Sequence, residues 1–126
     1  MDPPAQEHRQ QAPKSVRCAV ITVSDTRTLE TDQSGRTVAS MLTAAGHQVT
    51  AREIVPDEPD CMRQKIESVP RATEVILMTG GTGIGQRDQT YETVANLLTR
   101  LLPGYGELLR ALSYQEIGPA AMLSRA

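Results

Sequence analysis

Short apolar runs that alternate with helical patterns are the feature of this sequence that most limits its fold. Residues 16–24 form an apolar run rich in β-branched side chains, which is typical of a strand buried on both faces. Residues 74–79 form a second such run, and residues 48–55 between them predict a strand of mixed polarity. This order predicts an α/β domain in which a mostly parallel sheet is covered by helices on both faces.

Apolar residues at helical spacing predict the elements between and after these strands. The first helix covers residues 35–45 and ends at Gly46, where a left-handed C-terminal cap is expected. A later helix has Thr90 as its N-cap and ends at residues 103–104, and a shorter helix follows over residues 107–112. We interpret the apolar side chains of the helical stripes as core residues: Val38, Met41, Leu42, Ala45, Met62, Ile66, Val69, Val94, Leu97, Leu98 and Leu101.

The length of 126 residues suits one compact domain, which we assign to residues 16–126. Residues 1–15 contain three prolines and no hydrophobic period, so we expect a mobile tail there. No apolar run approaches the roughly 18 residues that span a bilayer, and no signal peptide is recognisable. The sequence therefore predicts a cytoplasmic protein that does not act at a membrane.

Composition argues against several other functions. Thirteen Lys and Arg against fifteen Asp and Glu give a net charge of −2, which disfavours nucleic acid as a partner. Cys18 and Cys61 are too few for a disulfide scaffold, and we interpret both as structural thiols. His47 lies far from the glycine-rich segment in the predicted fold, and no Ser-His-Asp or Cys-His pairing is recognisable, so covalent catalysis is not expected.

A glycine-rich loop after the third strand is the most informative segment. Four of the six residues from Gly80 to Gly85 are glycine, and Thr79 and Thr82 add hydroxyl groups. Such a loop can present consecutive backbone amides to an anion, which predicts a phosphate site, although a simple tight turn would use the same residues. The sequence contains neither a dinucleotide-binding G-x-G-x-x-G nor a Walker loop.

Two aspartates follow the predicted strands near this loop. Asp57 and Asp88 could cap helices, but their joint position at strand ends favours a Mg²⁺ site, since magnesium uses few protein carboxylates beside phosphates. Ser24 and Asp25 end the first strand and share the same edge of the sheet. Arg87 could pair with phosphate or with a neighbouring acid, and the sequence leaves both readings open.

Residues 16–126 contain the motifs TVSDTR, DQSG, AGH, VPDE, TGGTGIGQRDQT and PGYGELLRALSYQEIGPAAMLSRA. In these motifs the chain resembles the MoaB/MogA family of molybdenum cofactor biosynthesis proteins over that whole range. The resemblance implies the molybdopterin-binding fold of that family, a three-layer α/β sandwich, and an enzyme that transfers AMP from ATP to the terminal phosphate of molybdopterin, releasing pyrophosphate. Family members continue beyond the LSRA motif, so the domain is expected to be short at its C-terminus.

The resemblance also implies roles for individual residues. Asp57 and Asp88 would hold Mg²⁺ and serve catalysis, and Glu107 would lie at the pocket edge. ATP and molybdopterin would be the substrates, a homotrimer or homohexamer the assembly, and a molybdenum-insertion protein a further partner. A non-catalytic molybdopterin or nucleotide carrier, or a pathway scaffold, is the alternative function. The residues implied in substrate or nucleotide binding, besides Glu107, are Ser24, Asp25, Thr79, Gly80, Gly81, Thr82, Gly83 and Ser124.

Overall fold

A computed structural model describes residues 3–126, in which strands and helices alternate after an N-terminal helix. The predicted strands occur with nearly the predicted bounds. The elements in chain order are α1 (Pro3–Gln11), β1 (Arg17–Val23), α2 (Gln33–Ala44), β2 (Gln48–Val55), α3 (Pro59–Ser68), β3 (Val75–Thr79), α4 (Thr90–Leu97), α5 (Pro103–Ile117) and the 3₁₀-helix η1 (Gly118–Leu123).

The three strands form one parallel sheet in the order β2-β1-β3. At its carboxyl end, Val23 of the central strand pairs with Val55 of β2, and Thr22 pairs with Thr79 of β3. The loops that follow all three strands therefore start at the same edge of the sheet, which we call the rim. This arrangement confirms the predicted α/β fold with a parallel sheet.

Helices cover both faces of the sheet. On one face, Met62 of α3 packs against Ile21, Val23 and Val55, which form the buried core. On the other face, α2 lies against β1 and β2. β1 is buried on both sides from Cys18 to Val23 because it is the central strand between these two layers.

A buried aspartate fastens α2 to the central strand. Asp32 is the N-cap of α2, and its Oδ1 accepts a hydrogen bond from the Gly35 amide at 3.0 Å. Its Oδ2 accepts the Thr22 hydroxyl at 2.7 Å and lies 3.4 Å from the Arg52 guanidinium. Burial alone would raise the pKa of Asp32, but these partners hold it below the ordinary value of 3.8.

Three predicted helix details are wrong. The N-cap of α4 is Gln89, and Thr90 is the first helical residue. That helix ends at Leu97, and the Pro103-Gly104 pair opens α5 instead of closing the previous helix. Proline suits the first turn of a helix because its missing N–H would have no intrahelical partner there. The last helix is consequently longer than predicted, Pro103–Ile117.

Part of the predicted helical core is exposed. Met62, Ile66 and Val69 pack in the core as expected. Met41 of α2, however, is 68% exposed, and Leu97, Leu98 and Leu101 are also exposed. Only the first of these three leucines lies in α4, because the helix ends before the apolar stripe does. The stripe therefore continues into an irregular segment that no described element covers.

The N-terminal segment is helical where no regular structure was expected. Residues Pro3–Gln11 form α1, and none of its residues is buried. The helix forms without a hydrophobic stripe, which is why the pattern did not predict it. The first two residues of the predicted tail lie outside the described range.

The cysteines and His47 lie in or beside regular elements, away from the glycine-rich segment of the sequence. Cys18 and Cys61 are free thiols in β1 and α3, respectively. His47 has a structural contact, since its Nδ1 accepts the Val16 amide at 3.1 Å. Within residues 3–126, no helix has both the length and the apolar character that a bilayer span requires.

We predict that Asp32→Ala lowers the free energy of unfolding by about 3 kcal/mol at pH 7, because it removes a cap and leaves a half-buried arginine without its carboxylate. Urea unfolding measures the change. Asp60→Ala is the matched control: its exposed ion pair with Arg63 should contribute less than about 1 kcal/mol. Because the Asp32 pKa is lowered in the fold, its contribution is present above pH 3.8 and is lost as the pH falls below that value, so the deficit should shrink there. An equal loss of unfolding free energy in Asp32→Ala and Asp60→Ala would contradict the role of Asp32 in fastening α2 to the sheet.

Candidate active site

Three aspartates from separate loops meet at the rim. Asp25 follows β1, Asp57 follows β2, and Asp88 lies in the loop after β3. Asp25 Oδ1 accepts the Asp57 amide at 3.0 Å, which ties the first two loops together. Asp57 Oδ1 accepts the Gln89 amide at 3.0 Å, which ties the second loop to the third. Hydrogen bonds from backbone amides to aspartate carboxylates thus join the three loops at the rim.

The glycine loop, residues 79–88, approaches these groups so closely that side chains are excluded. Gly80 has φ +96°, and a Cβ there would collide with the Val23 carbonyl oxygen. Gly81 has φ +68°, and a Cβ there would lie 2.7 Å from Asp57 Oδ2 and collide with the Thr90 hydroxyl. Glycine is needed at both positions because of the backbone angle and because of the space.

Four consecutive carbonyls of the glycine loop accept hydrogen bonds. The Thr90 hydroxyl donates to Gly80 at 2.8 Å, and the Thr90 amide donates to Gly81 at 3.1 Å. Arg125 supplies the next two donors: its amide bonds the Thr82 carbonyl at 2.8 Å and its Nε bonds the Gly83 carbonyl at 2.7 Å. The loop is therefore held by the start of α4 and by the end of the chain.

These bonds set the direction of the loop amides. In a planar trans peptide the N–H points away from the C=O of the same unit, so each amide of residues 81–84 faces away from the donor that holds the preceding carbonyl. None of these amides donates to an acceptor within residues 3–126. Amide N–H groups that lack protein partners and follow one another along a loop are suited to an anion.

Asp88 lies among the glycines of the loop. Its Oδ2 accepts the Gly85 amide at 3.0 Å. A Cβ at Gly83 would come within 2.9 Å of the same oxygen, and one at Gly85 within 2.8 Å. The absence of side chains therefore lets the carboxylate fold back over its own loop.

Asp57 is a buried carboxylate with an unfavourable electrostatic environment. Its residue is 6% exposed. Burial raises the pKa of Asp57 above the ordinary value of 3.8, and the negative charges of Asp88 and Asp25 raise it further. The Gln89 amide and Arg87 act in the opposite direction without reversing the shift. The rim thus carries excess negative charge.

Arg87 pairs with a neighbouring acid, which is one of the two readings that the sequence leaves open. Its Nη2 and Nε contact the two carboxylate oxygens of Asp25 at 2.9 and 3.2 Å. Its guanidinium also lies 3.9 Å from Glu58. The bond to Arg87, followed by the bond from the Asp57 amide, lowers the pKa of Asp25. This pair lies at the solvent edge of the rim, where both side chains are substantially exposed.

The donor set fits a magnesium ion. One oxygen of each aspartate, Asp57 Oδ2 and Asp88 Oδ1, accepts no hydrogen bond from a described residue. Magnesium is held in many sites by one or two carboxylates together with phosphate oxygens and water. Within the described range no three His, Cys, Asp or Glu residues are placed to hold a metal. Asp57 and Asp88 are two carboxylates that lie close to the backbone of the glycine loop.

Comparison with known proteins identifies the family of the chain. A family model described as "Probable molybdopterin binding domain" matches residues 19–126. Molybdenum cofactor biosynthesis protein B of Bacillus subtilis is 52% identical over 124 residues, or 96% of this chain and 73% of that protein. The chain belongs to the MoaB/MogA family of molybdenum cofactor biosynthesis proteins.

Solved structures of MoaB proteins share the fold of this MoaB/MogA-family chain. A crystal structure of molybdenum cofactor biosynthesis protein B matches with a TM-score of 0.84 and 50% identity, over 92% of this chain and 74% of the other. The tungsten cofactor synthesizing protein MoaB of Pyrococcus furiosus matches with a TM-score of 0.72 and 36% identity, over 89% and 71%.

Some residues predicted for the site of this family member have other contacts. The Ser24 hydroxyl accepts the Thr26 and Arg27 amides and so shapes the turn after β1. The Ser124 hydroxyl accepts the Ala126 amide at 3.4 Å. Glu107 is exposed in α5, and no hydrogen bond or ion pair joins its side chain to another described residue.

The helix-capping alternative fails for both aspartates. The N-cap of α3 is Glu58, which makes no side-chain cap bond, and Asp57 bonds the amide of Gln89 instead. The N-cap of α4 is Gln89, and Asp88 bonds within the glycine loop. Neither carboxylate is therefore used to start the helix that follows it.

Sequence reasoning missed Thr90 and Arg125 as site residues. The sequence predicts Thr90 only as a helix cap, and in the terminal LSRA motif it predicts only Ser124 as a site residue. The glycine loop itself was the available signal for such residues, because backbone carbonyls that turn inward need hydrogen-bond donors. Which residues supply those donors depends on contacts 10 and 42 positions apart in the chain.

Gly81→Ala should lower the free energy of unfolding by at least about 1 kcal/mol, because it places a Cβ against Thr90 and Asp57 at a positive φ. Chemical denaturation checks this. Gly104→Ala is the control, since a Cβ there meets nothing within 4 Å and alanine favours the first turn of α5. A stable Gly81→Ala variant would show that the loop is less constrained than described.

Asp57→Asn should raise the thermal stability at pH 7, because asparagine keeps an acceptor for Gln89 but removes the buried charge. The pKa of Asp57 is raised in the fold, so its charge destabilises the protein at pH values above that pKa. The advantage of the variant should therefore disappear as the pH falls below the ordinary value of 3.8. Melting curves across this range provide the measurement, and a pH-independent difference would be inconsistent with the charge argument.

Proposed function

We propose that this chain acts in molybdenum cofactor biosynthesis as an Mg-ATP-dependent molybdopterin adenylyltransferase. The terminal phosphate of molybdopterin would attack the α-phosphorus of ATP. A new P–O bond forms, the bond between the α-phosphorus and the oxygen bridging to the β-phosphate breaks, and pyrophosphate leaves with that electron pair. The products are adenylylated molybdopterin and pyrophosphate.

The glycine loop is the single observation that carries this proposal. Its amides at residues 81–84 have no protein acceptor in the described range and are turned away from Thr90 and Arg125. A row of fixed amide donors can bind phosphate oxygens without reorganising during the reaction. Because the nucleophile is itself an ionised phosphate, the reaction needs alignment and charge neutralisation more than a general base. The absence of a catalytic histidine from the rim is consistent with this.

Asp57 and Asp88 would hold the magnesium ion in this proposal. When bound, the ion would neutralise phosphate charge and polarise the attacked phosphorus. The burial of Asp57 and its bond to Gln89 keep that carboxylate in a fixed place. The Gly85 amide does the same for Asp88. A bound cation would also favour the charged form of Asp57, whose pKa is raised by burial and then by the charges of Asp88 and Asp25.

Substrate contacts and assembly complete the proposal. Asp25 bonds the Asp57 amide and the Ser24 amide bonds the Val55 carbonyl, so both residues lie at the rim, where they would line the nucleotide or pterin pocket. Thr79 precedes the amide row on the chain, and Thr82 is one of its members. Glu107 and Ser124 remain proposed substrate contacts. The proposal also includes assembly as a homotrimer or homohexamer and a molybdenum-insertion protein as a partner. Sedimentation of the purified chain measures the oligomeric state.

Asp57→Asn and Asp88→Asn should each lower the rate of pyrophosphate release from molybdopterin and Mg-ATP by about 100-fold or more, because each removes charge that fixes the phosphates and their cation. Asp60→Asn, a change at an exposed aspartate on α3, is the control and should keep the parent rate. Unchanged turnover in either site variant would refute that catalytic role.

The same assay separates the proposal from its alternatives. Pyrophosphate formation by the parent chain supports the transferase. Heat on titration with Mg-ATP without pyrophosphate formation would contradict the transferase and indicate a carrier. If neither ATP nor molybdopterin gives heat, both the transferase and the carrier are contradicted, and the scaffold is the function that remains.

A further inference from the structure

We propose that Arg125 is a positioning residue for the phosphate site, holding the glycine loop so that its amides and Asp88 face the substrate. This inference rests on the proposed function and assigns a role to a side chain outside the rim. Arg125 lies next to the end of the described chain, 42 positions after Gly83.

All three guanidinium nitrogens of Arg125 bond groups at the loop or the helix that follows it. Nε donates to the Gly83 carbonyl at 2.7 Å, and Nη2 donates to the Asp88 carbonyl at 2.6 Å. Nη1 pairs with the Glu92 carboxylate on α4. One rigid, planar group thus joins both ends of the segment between Gly83 and Asp88 to the first turns of a helix.

The consequence for the amides follows from peptide planarity. With the Gly83 carbonyl directed at Arg125, the amide of Ile84 must point away from it. The bond to the Asp88 carbonyl likewise fixes the peptide that leads from the proposed magnesium ligand to Gln89. Without the guanidinium, the backbone of segment 83–88 would keep only the two hydrogen bonds between Gly85 and Asp88 among the described residues. Several loop conformations would then compete, and the binding geometry would be lost with them.

Charge and packing hold the guanidinium in place. The centre of the guanidinium lies 5.8 Å from the centroid of the Tyr91 ring, within cation–π range. The bond from Arg125 lowers the pKa of Glu92, so that carboxylate stays ionised beside it. The side chain of Arg125 is 30% exposed, less than its partner Glu92. These contacts restrict the rotamers of Arg125 before any ligand arrives.

A second arginine, Arg110, offers a control variant that distinguishes an effect on the glycine loop from an effect on the terminal segment. Arg110 of α5 donates from Nη1 to the carbonyls of Ser124 and Ala126 at 3.2 and 3.1 Å. It therefore holds the same terminal segment but has no bond to the glycine loop among the described residues. The backbone amide of Arg125 also bonds Thr82 whatever the side chain is, so Arg125→Ala removes only the side-chain bonds.

The test compares Arg125→Ala, Arg125→Lys and Arg110→Ala with the parent chain. Each is titrated with inorganic tripolyphosphate in the presence of Mg²⁺, and the amide signals of residues 81–84 are followed by NMR. In Arg125→Ala we expect binding about tenfold weaker or more, because preorganised hydrogen bonds to an anion are lost. Arg110→Ala should bind like the parent. Arg125→Lys keeps the charge but has a single donor atom, so it should retain most of the defect.

Each result supports or overturns the inference. Equal affinity in the parent and Arg125→Ala would refute it while leaving the proposed transferase intact. Full recovery in Arg125→Lys would refute it too, since charge alone would then suffice. Equal losses in Arg125→Ala and Arg110→Ala would show that the effect is anchoring of the chain end. If the parent amides do not respond to tripolyphosphate, the phosphate site itself fails, and the proposed function fails with it.

Turnover provides a readout that does not depend on the anion titration. Because Arg125 acts on the loop that would bind ATP phosphates, its removal should raise KM for ATP together with any fall in kcat. Asp57→Asn should instead lower kcat, although the folded variant should be at least as stable as the parent chain. Should Arg125→Ala fail to fold, Arg125→Lys carries the comparison, and wild-type affinity in that variant would overturn the inference.

Discussion

Hydrogen bonds to the carbonyl side of the glycine loop are the constraint on which the candidate site depends. Thr90 and Arg125 together occupy the carbonyls of residues 80–83. A glycine-rich segment alone has many accessible conformations, and ordering it costs conformational entropy. Donors fixed on a helix and on the chain end select one conformation from that set. The amides then face away from those donors before any ligand is present.

Asp57 shows how the fold accepts an unfavourable charge at its site. The residue is buried at the end of β2, and its pKa is raised by that burial and by neighbouring carboxylates. Asp32, another buried carboxylate, has the opposite shift because Gly35, Thr22 and Arg52 surround it. The contrast separates a carboxylate that holds the fold together from one whose charge the fold leaves poorly compensated, and a perturbed group of this kind is typical of a functional site. Under the proposed function, stability and catalysis would therefore favour different residues at position 57.

The elements that were predicted well are those determined by local pattern. The strands have strong apolar runs, and Gly46 adopts the positive φ that its position after α2 predicts. Helix ends were predicted poorly where one residue suits two roles. Pro103 can follow one helix or begin the next, and only packing decides between them. The leucines after α4 were expected in the core, but the helix ends before its stripe does.

The sequence by itself determined the parallel α/β order, the glycine loop and the family, because short apolar runs, glycine spacing and motif letters are local properties. Tertiary structure decided which groups meet. It paired Arg87 with Asp25 across 62 positions, joined Asp57 to Gln89, and brought Arg125 to the loop carbonyls. Such contacts depend on where strands and helices pack, and a hydrogen-bond partner distant in the chain leaves no periodic signal in the sequence.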